Sequence, residues 1–293
     1  MVERMENKNV VEIVEAFLKS FSINRDDKIL IKPNFVCMDS YPFITDRNLI
    51  EEVVKHLIDK GCKKIVVADS PSPDYSAVYN LDCNSIQKKN KMNEFHQKYR
   101  NTQCRNEELA YISMIEKQVE EYYNFFFSQS MFMGYAGSVD AKNLFDVPDL
   151  KMCSLKVTDE VEVKCFDVKY YDCIINLPVL KLHTTAGFTG AVKNFYALLS
   201  LEDKLKMHKY KLISSTILSI MQYLKKQKII SLLDCRYIPS SQQRIWGDGM
   251  IYKGNGWVYG DDLCEVDRMA SAILKTLEIS IYGKDLLYYE HLN

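Results

Sequence analysis

Apolar residues gather in short runs at 28–32, 64–69, 172–177 and 229–234, each opening after charge and closing on a polar residue or proline. Runs this short, with no alternating polar face, are the pattern of strands buried on both sides of a parallel sheet. Between the first two, Ile50, Val53, Val54, Leu57 and Ile58 recur at helical spacing after Thr45-Asp46, and Gly61 stops the pattern. Strand, helix and strand in that order predict a right-handed βαβ unit. A second helix is predicted by Val266, Met269, Ala270, Ile273 and Leu274, and a weaker one over 212–224. The expected fold class is α/β, a mostly parallel sheet with flanking helices in a single domain over residues 1–293.

Residues 76–150 break this rhythm. Asn, Gln, Lys and Tyr dominate, and Phe125, Phe126, Phe127, Met131, Phe132 and Met133 cluster near the end. We read a largely helical insertion, its apolar cluster forming either a satellite core or the wall of a pocket over the sheet edge. Residues 251–259, with Asn255-Gly256 at the centre, have the pattern of a β-hairpin. Together with Trp246 and Trp257 it would be an aromatic lid or a surface hairpin packed by its tryptophans.

Composition narrows the function classes. The net charge of −1 supplies no basic field, so nucleic acid is not an expected partner. The N-terminus lacks a signal-like apolar run, and residues 122–139 are too polar for a membrane helix. The nine cysteines are odd in number and form no C-x-x-C, which argues against an iron–sulfur cluster or zinc ribbon and for reduced thiols in the cytoplasm, most of them small core residues. Only Gly61 precedes residue 134 among the glycines, so the turn after the first strand cannot be a glycine-rich phosphate cradle.

Ligands of open parallel sheets bind outside the carboxyl ends of the strands. Those ends carry Lys32-Pro33-Asn34, then Asp69-Ser70-Pro71 with Asp74, then Asn176 with Lys181 and His183, and finally Asp234. Asn, Asp and Pro also end strands simply because they suit turns. The densest stretch runs from Lys181 through His183, Gly187-Phe188-Thr189-Gly190, Lys193 and Asn194 to His208. His183 follows a strand end and precedes a turn whose amides could hold an anion. Lys193 is a phosphate contact, a nucleophile or a solvated charge. His56, His96 and His291 read as structural. Thr45, Arg47 and Lys32 are candidate anion contacts, with a solvated charge as the other reading of Arg47. Asp234 and Asp267 are ligands or helix caps.

Lys32-Pro33-Asn34, Asp69-Ser70-Pro71, Asn176-x-Pro178-x-x-Lys181-x-His183, Thr189-Gly-Ala-Val-Lys193-Asn194, His208, Asp234 and Asp267 together resemble the domain of unknown function 362 family. The resemblance implies an α/β fold without a settled reaction. Many members carry a four-iron ferredoxin module whose cysteine spacing is lacking here. His183, Gly187-Phe-Thr-Gly190, Lys193 and His208 also bear a remote likeness to the nickel-pincer lactate racemase family. That likeness implies a lysine anchoring a covalent cofactor, a metal-ligating His208 and a proton-moving His183, and Thr45-Asp46-Arg47 partly echoes that family's phosphate motif. The second proton-moving histidine of that family has no counterpart, and Asp69 or Asp74 could replace it only with a raised pKa.

The leading expectation is therefore a small-molecule enzyme, isomerase- or racemase-like, moving a proton beside a carboxylate or carbonyl. His183, Lys193 and Asp69 are its catalytic candidates. Lys32, Asn34, Thr45, Arg47, Lys181, Thr189, Gly190, Lys193 and Asn194 would hold a cofactor, either phosphorylated and covalent or a divalent metal, and His208 is the metal ligand. The alternatives are a redox or maturation component without its own cluster, marked by cysteines converging in space, and a non-catalytic module for a metabolite or partner protein.

Overall fold

The computed structural model describes residues 1–36, 41–70, 139–143, 151–241 and 249–281. Its centre is β2 (Lys28–Pro33), flanked by β3 (Lys64–Asp69) and β7 (Cys173–Leu177), with β10 (Ile229–Asp234) beyond β7. These strands run parallel. The full order is β1 (Val2–Glu6), β13 (Gly256–Gly260), β10, β7, β2, β3 and β4 (Val139–Asn143), with β13 antiparallel to both neighbours. The mostly parallel α/β fold is as expected.

Helices cover both faces, and the strands divide their side chains between them. Ile29 and Ile31 of β2, Ile175 of β7 and Leu232 of β10 pack with α1 (Val10–Ser20) and α2 (Arg47–Asp59). Leu30, Ile174 and Leu233, pointing the other way, pack with α3 (Leu201–Tyr210), α4 (Ile213–Leu224) and α5 (Leu263–Thr276). This period-two split explains the continuous apolar runs, because neither face of these strands meets water. Asp46 caps α2 through the Asn48 amide, and Gly61 leaves its far end at φ +86°, where a side chain would be strained.

Two expectations change. Residues 139–143, placed in a helical insertion, form β4 on the free edge of β3; the rest of 71–138 and 144–150, including Asp74 and the Phe/Met cluster, lies outside the described residues. The expected hairpin at 251–259 is two strands in separate sheets. β12 (Ile251–Lys253) pairs with β11 (Tyr237–Pro239), whereas β13 inserts between β1 and β10. The split occurs because Gly254 and Asn255 donate their amides to the Arg236 carbonyl, and Asn7 donates to the Asn255 carbonyl. Trp257 is consequently a core residue rather than a lid, fully buried with its indole N–H on the Lys8 carbonyl; Trp246 lies outside the described residues.

Candidate functional site at the carboxyl ends of the strands

The chain leaves β2 toward β3 on one side and later returns to β7 on the other, so the sheet reverses its winding between β2 and β7. Such a reversal opens a crevice at the carboxyl edge. Here it is filled by the protein's own polar side chains. Lys32, Asn176 and Ser231 occupy paired positions across β2, β7 and β10. Asn194 drops in above them, donating to Asn176 Oδ1 at 2.8 Å and to the Pro33 carbonyl at 3.2 Å, and accepting from Asn34 Nδ2 at 2.8 Å. Asn176 in turn donates to the Ala191 carbonyl and to Ser231. Lys181, 1% exposed, donates to Asn34 Oδ1 at 3.0 Å and to the Phe43 carbonyl at 2.5 Å.

Thr45 accepts the Asn34 amide and donates to the Leu177 carbonyl, tying the start of α2 to the crevice. Lys32 and Asp69 form a fully buried ion pair at 2.7 Å. Asp69 Oδ2 also accepts the Phe35 amide at 2.6 Å. With both carboxylate oxygens engaged, Asp69 is placed as a latch between β2 and β3 rather than as a proton-transfer group. Arg47 stands apart, half exposed and paired with Glu51 along α2, which is the solvated-charge arrangement.

The glycine turn expected to cradle an anion is organised differently. Gly187–Thr189 is strand β9, paired with β8 (Lys181–His183), and the neighbouring amides are already used. Those of Thr185 and Ala186 both donate to His183 Nδ1 at 3.1 Å. Those of Ala191 and Val192 donate to the fully buried Asp267 at 2.5 and 3.1 Å. Burial raises the Asp267 pKa to about 7 despite these two donors. A Cβ on Gly190 would lie 2.2 Å from Asp267 Oδ1, so this close approach requires glycine. Asp267 is thus a positioning residue for the turn that delivers Lys193 and Asn194.

Two backbone donors on Nδ1 decide the state of His183. An imidazolium would place a hydrogen there against them, so the ring is neutral with its proton on Nε2. Burial, then the charges of Lys193, His208 and Lys181, hold its pKa well below the ordinary histidine value in the same sense. Its outward nitrogen is therefore a hydrogen-bond donor, which narrows the proton-moving role expected of His183 to donation. The same assignment disfavours metal ligation through Nε2.

His208, on α3, brings its ring centroid to 6.2 Å from that of His183 and 5.7 Å from that of Tyr196. It reaches solvent, while the protein around its inner edge and then Lys193 hold its pKa below the usual value. Lys193 opens the 3₁₀ segment Lys193–Leu198 and is half-buried, its ammonium 5.5 Å from the Tyr196 ring centroid. No carboxylate pairs with it among the described residues. Burial first, then Lys181 and Lys204, lower its pKa to about 7.

Two groups in this region, Lys204 and Arg236, escaped the sequence reading. Lys204 donates to Ser70, which donates to the Ala197 carbonyl, joining α3 to the end of β3. Arg236 grips Asp234 through Nε and Nη2, reaches Asp46 at 2.7 Å, and lies 4.2 Å from the Trp257 ring centroid. Arginine is scarce in the chain, and this one sits two residues past a strand-ending aspartate, a signal that was available. Asp234 is accordingly neither ligand nor helix cap. Thr189 is buried in β9. Among the described residues no three His, Cys, Asp or Glu side chains are grouped to hold a metal ion.

The family described as "Domain of unknown function (DUF362)" matches residues 29–272. The chain belongs to this family. The match spans β2 to α5 and so takes in every side chain of the DUF362 site described above. The likeness to the nickel-pincer lactate racemases finds no support in the comparisons. No curated protein matches the chain. A crystal structure of a protein from Thermotoga maritima is similar at 12% identity with a TM-score of 0.37, over 78% of this chain and 50% of that one. The DUF362 chain therefore spans half the length of that protein. Among the described residues no helix is long and apolar enough to cross a membrane.

Proposed function

We propose that this protein is an enzyme that moves a proton beside the carbonyl or carboxylate of a small anionic molecule at the Lys193–His183–His208 cluster. The observation that carries the proposal is the placement of Lys193, an amine with no carboxylate partner among the described residues, beside His183, and burial with the neighbouring lysines lowers its pKa to about 7. A lysine in that state is an available base at neutral pH, where an ordinary lysine is almost wholly protonated. His183 would donate its Nε2 hydrogen to the oxygen on which charge develops, a task suited to a ring held neutral. His208, open to solvent, would exchange protons between Lys193 and water. The positive charges of Lys181 and Lys204 favour an anionic substrate and add to burial, the larger cause, in keeping Lys193 from holding its proton.

The test is proton exchange in D2O. Purified protein is incubated with a panel of 2-hydroxy, 2-oxo and 3-oxo carboxylates, and loss of the α-proton signal is followed by NMR. Exchange should rise with pH through an inflection near 7 and fall by about 100-fold or more in Lys193→Met, the ordinary contribution of a positioned base. Ligand shifts without exchange in the wild type would favour a metabolite-binding module instead. Exchange unaltered in Lys193→Met would remove Lys193 from the chemistry.

A further inference from the structure

The redox reading of the sequence requires cysteines that converge, and two do so away from the cluster above. Strands β5 (Met152–Lys156) and β6 (Glu162–Phe166) form an antiparallel ribbon in which Cys153 lies directly opposite Cys165. The Asp167 amide bonds to the Lys151 carbonyl at one end and the Val157 amide to the Val161 carbonyl at the other. Alternation between those ends makes Cys153 and Cys165 a hydrogen-bonded pair. Opposite α-carbons are then about 5.5 Å apart, inside the roughly 4.4–6.8 Å range of disulfides. Both side chains point to the face that packs on the core, with Leu155 and Val163. Their exposures differ: Cys165 is fully buried and Cys153 partly accessible.

We propose that Cys153 and Cys165 form a redox-active dithiol, Cys153 being the attacking thiol and Cys165 the resolving one, with a low-molecular-weight disulfide as oxidant. The Cys153 thiolate attacks one sulfur of the small disulfide, forming a mixed disulfide and expelling a small thiolate, which takes up a proton. Cys165 then gives up its proton and attacks Cys153 Sγ, expelling the second small thiol. The protein loses two hydrogens, and one disulfide becomes two thiols. The order follows from access and acidity. Cys153 is the sulfur a solute can reach, and its contact with Cys165, against an opposing burial effect, lowers its pKa to about 7, with Tyr223 and Lys169 acting in the same direction and Asp167 against. The same contact and burial push Cys165 upward, keeping it a thiol until the mixed disulfide forms.

Cys264 supplies an internal standard, an exposed thiol on α5 whose pKa burial and two aspartates raise to about 11. At pH 7 the thiolate advantage of Cys153, offset by its lower intrinsic nucleophilicity, gives an alkylation rate on the order of 50-fold above that of Cys264. The experiment uses the full native chain. Peptide-resolved iodoacetamide labelling measures both rates, and equilibration with reduced and oxidised glutathione, acid quench and mass spectrometry identify the products. The expected products are a Cys153–Cys165 linked peptide in the wild type, glutathione retained on Cys153 in Cys165→Ser, and no glutathione on Cys165 in Cys153→Ser. Cys153 labelled no faster than Cys264 in the wild type, or both thiols fully alkylated after oxidised glutathione, would overturn the proposal without reliance on either variant.

Discussion

Replacing Asp69 by asparagine isolates the energetics on which the carboxyl edge rests. The substitution keeps the shape and an acceptor for the Phe35 amide, but it leaves the Lys32 ammonium, 0% exposed in the native protein, without its counter-charge. Breaking one side of a buried pair costs about 3–5 kcal/mol, roughly a fifth or more of the stability of an ordinary domain. At about 2–4 °C per kcal/mol for a chain of this size, the melting temperature should fall by about 10 °C. Urea unfolding followed by circular dichroism and by fluorescence reads the loss directly. Burial already lowers the Lys32 pKa in the native protein, and in Asp69→Asn nothing opposes that shift. A base with a depressed folded pKa binds fewer protons when folded. The variant should therefore regain stability relative to wild type as pH rises from about 7 toward the unfolded lysine value of about 10.4. Adding Lys32→Met removes the stranded charge, so the double variant should be more stable than Asp69→Asn alone. A single variant within about 1 kcal/mol of wild type, or a double variant no better than the single, would refute the reasoning.

Two further outcomes follow from the site. Gly190→Ala drives a methyl group into the buried Asp267 carboxylate, and the expected loss is near the upper end of the about 1–3 kcal/mol typical of overpacking, with Asp267→Ala in the same chain relieving part of it; a wild-type melting temperature would contradict the close approach. His183 should show nitrogen chemical shifts of a neutral ring protonated on Nε2 at pH values where an ordinary histidine is already an imidazolium, because burial and the neighbouring charges hold its pKa down. Because its folded pKa is depressed, its contribution to stability is present above about pH 6.5 and declines as pH falls below that value; an imidazolium signal at pH 6 would overturn the assignment.

The sheet was legible because its central strands are apolar on both faces, and α2 and α5 because their stripes and caps coincide. Strand β1, by contrast, reads as a charged tail: an edge strand buries little, and its Glu3, Arg4 and Glu6 mask the pattern. Helix α1 carries both a stripe of Ile13, Val14, Phe17 and Leu18 and a capping box between Asn9 and Glu12, so its absence from the expected elements reflects no weakness of signal. Lys32, Asn34, Lys181, His183, Lys193 and Asn194 do converge as their strand-end positions suggest. Their roles were hidden because each depends on what the backbone does nearby: two amides on Nδ1 make the outward nitrogen of His183 a donor, and two more make Asp267 a support. The Cys153–Cys165 pair was invisible because the register of a ribbon follows from its turn and buried face, which a cysteine count does not contain.

The amides at the reversal of the sheet have a fixed sense. A lysine ammonium can only donate, so Lys181 obliges Asn34 to present its oxygen and to turn its nitrogen toward Asn194. Asn194 must then present oxygen to Asn34 and nitrogen to Asn176, which repeats the arrangement toward Ala191 and Ser231. Each side chain inherits its orientation from the one before, like a row of arrows set by the first. Reversing any single amide would bring donor against donor on one side and acceptor against acceptor on the other, so the row can hold only one state while Lys181 is charged. Asn194 adjoins Lys193, and that one-way row gives the backbone beneath the Lys193 amine a direction it cannot lose one residue at a time.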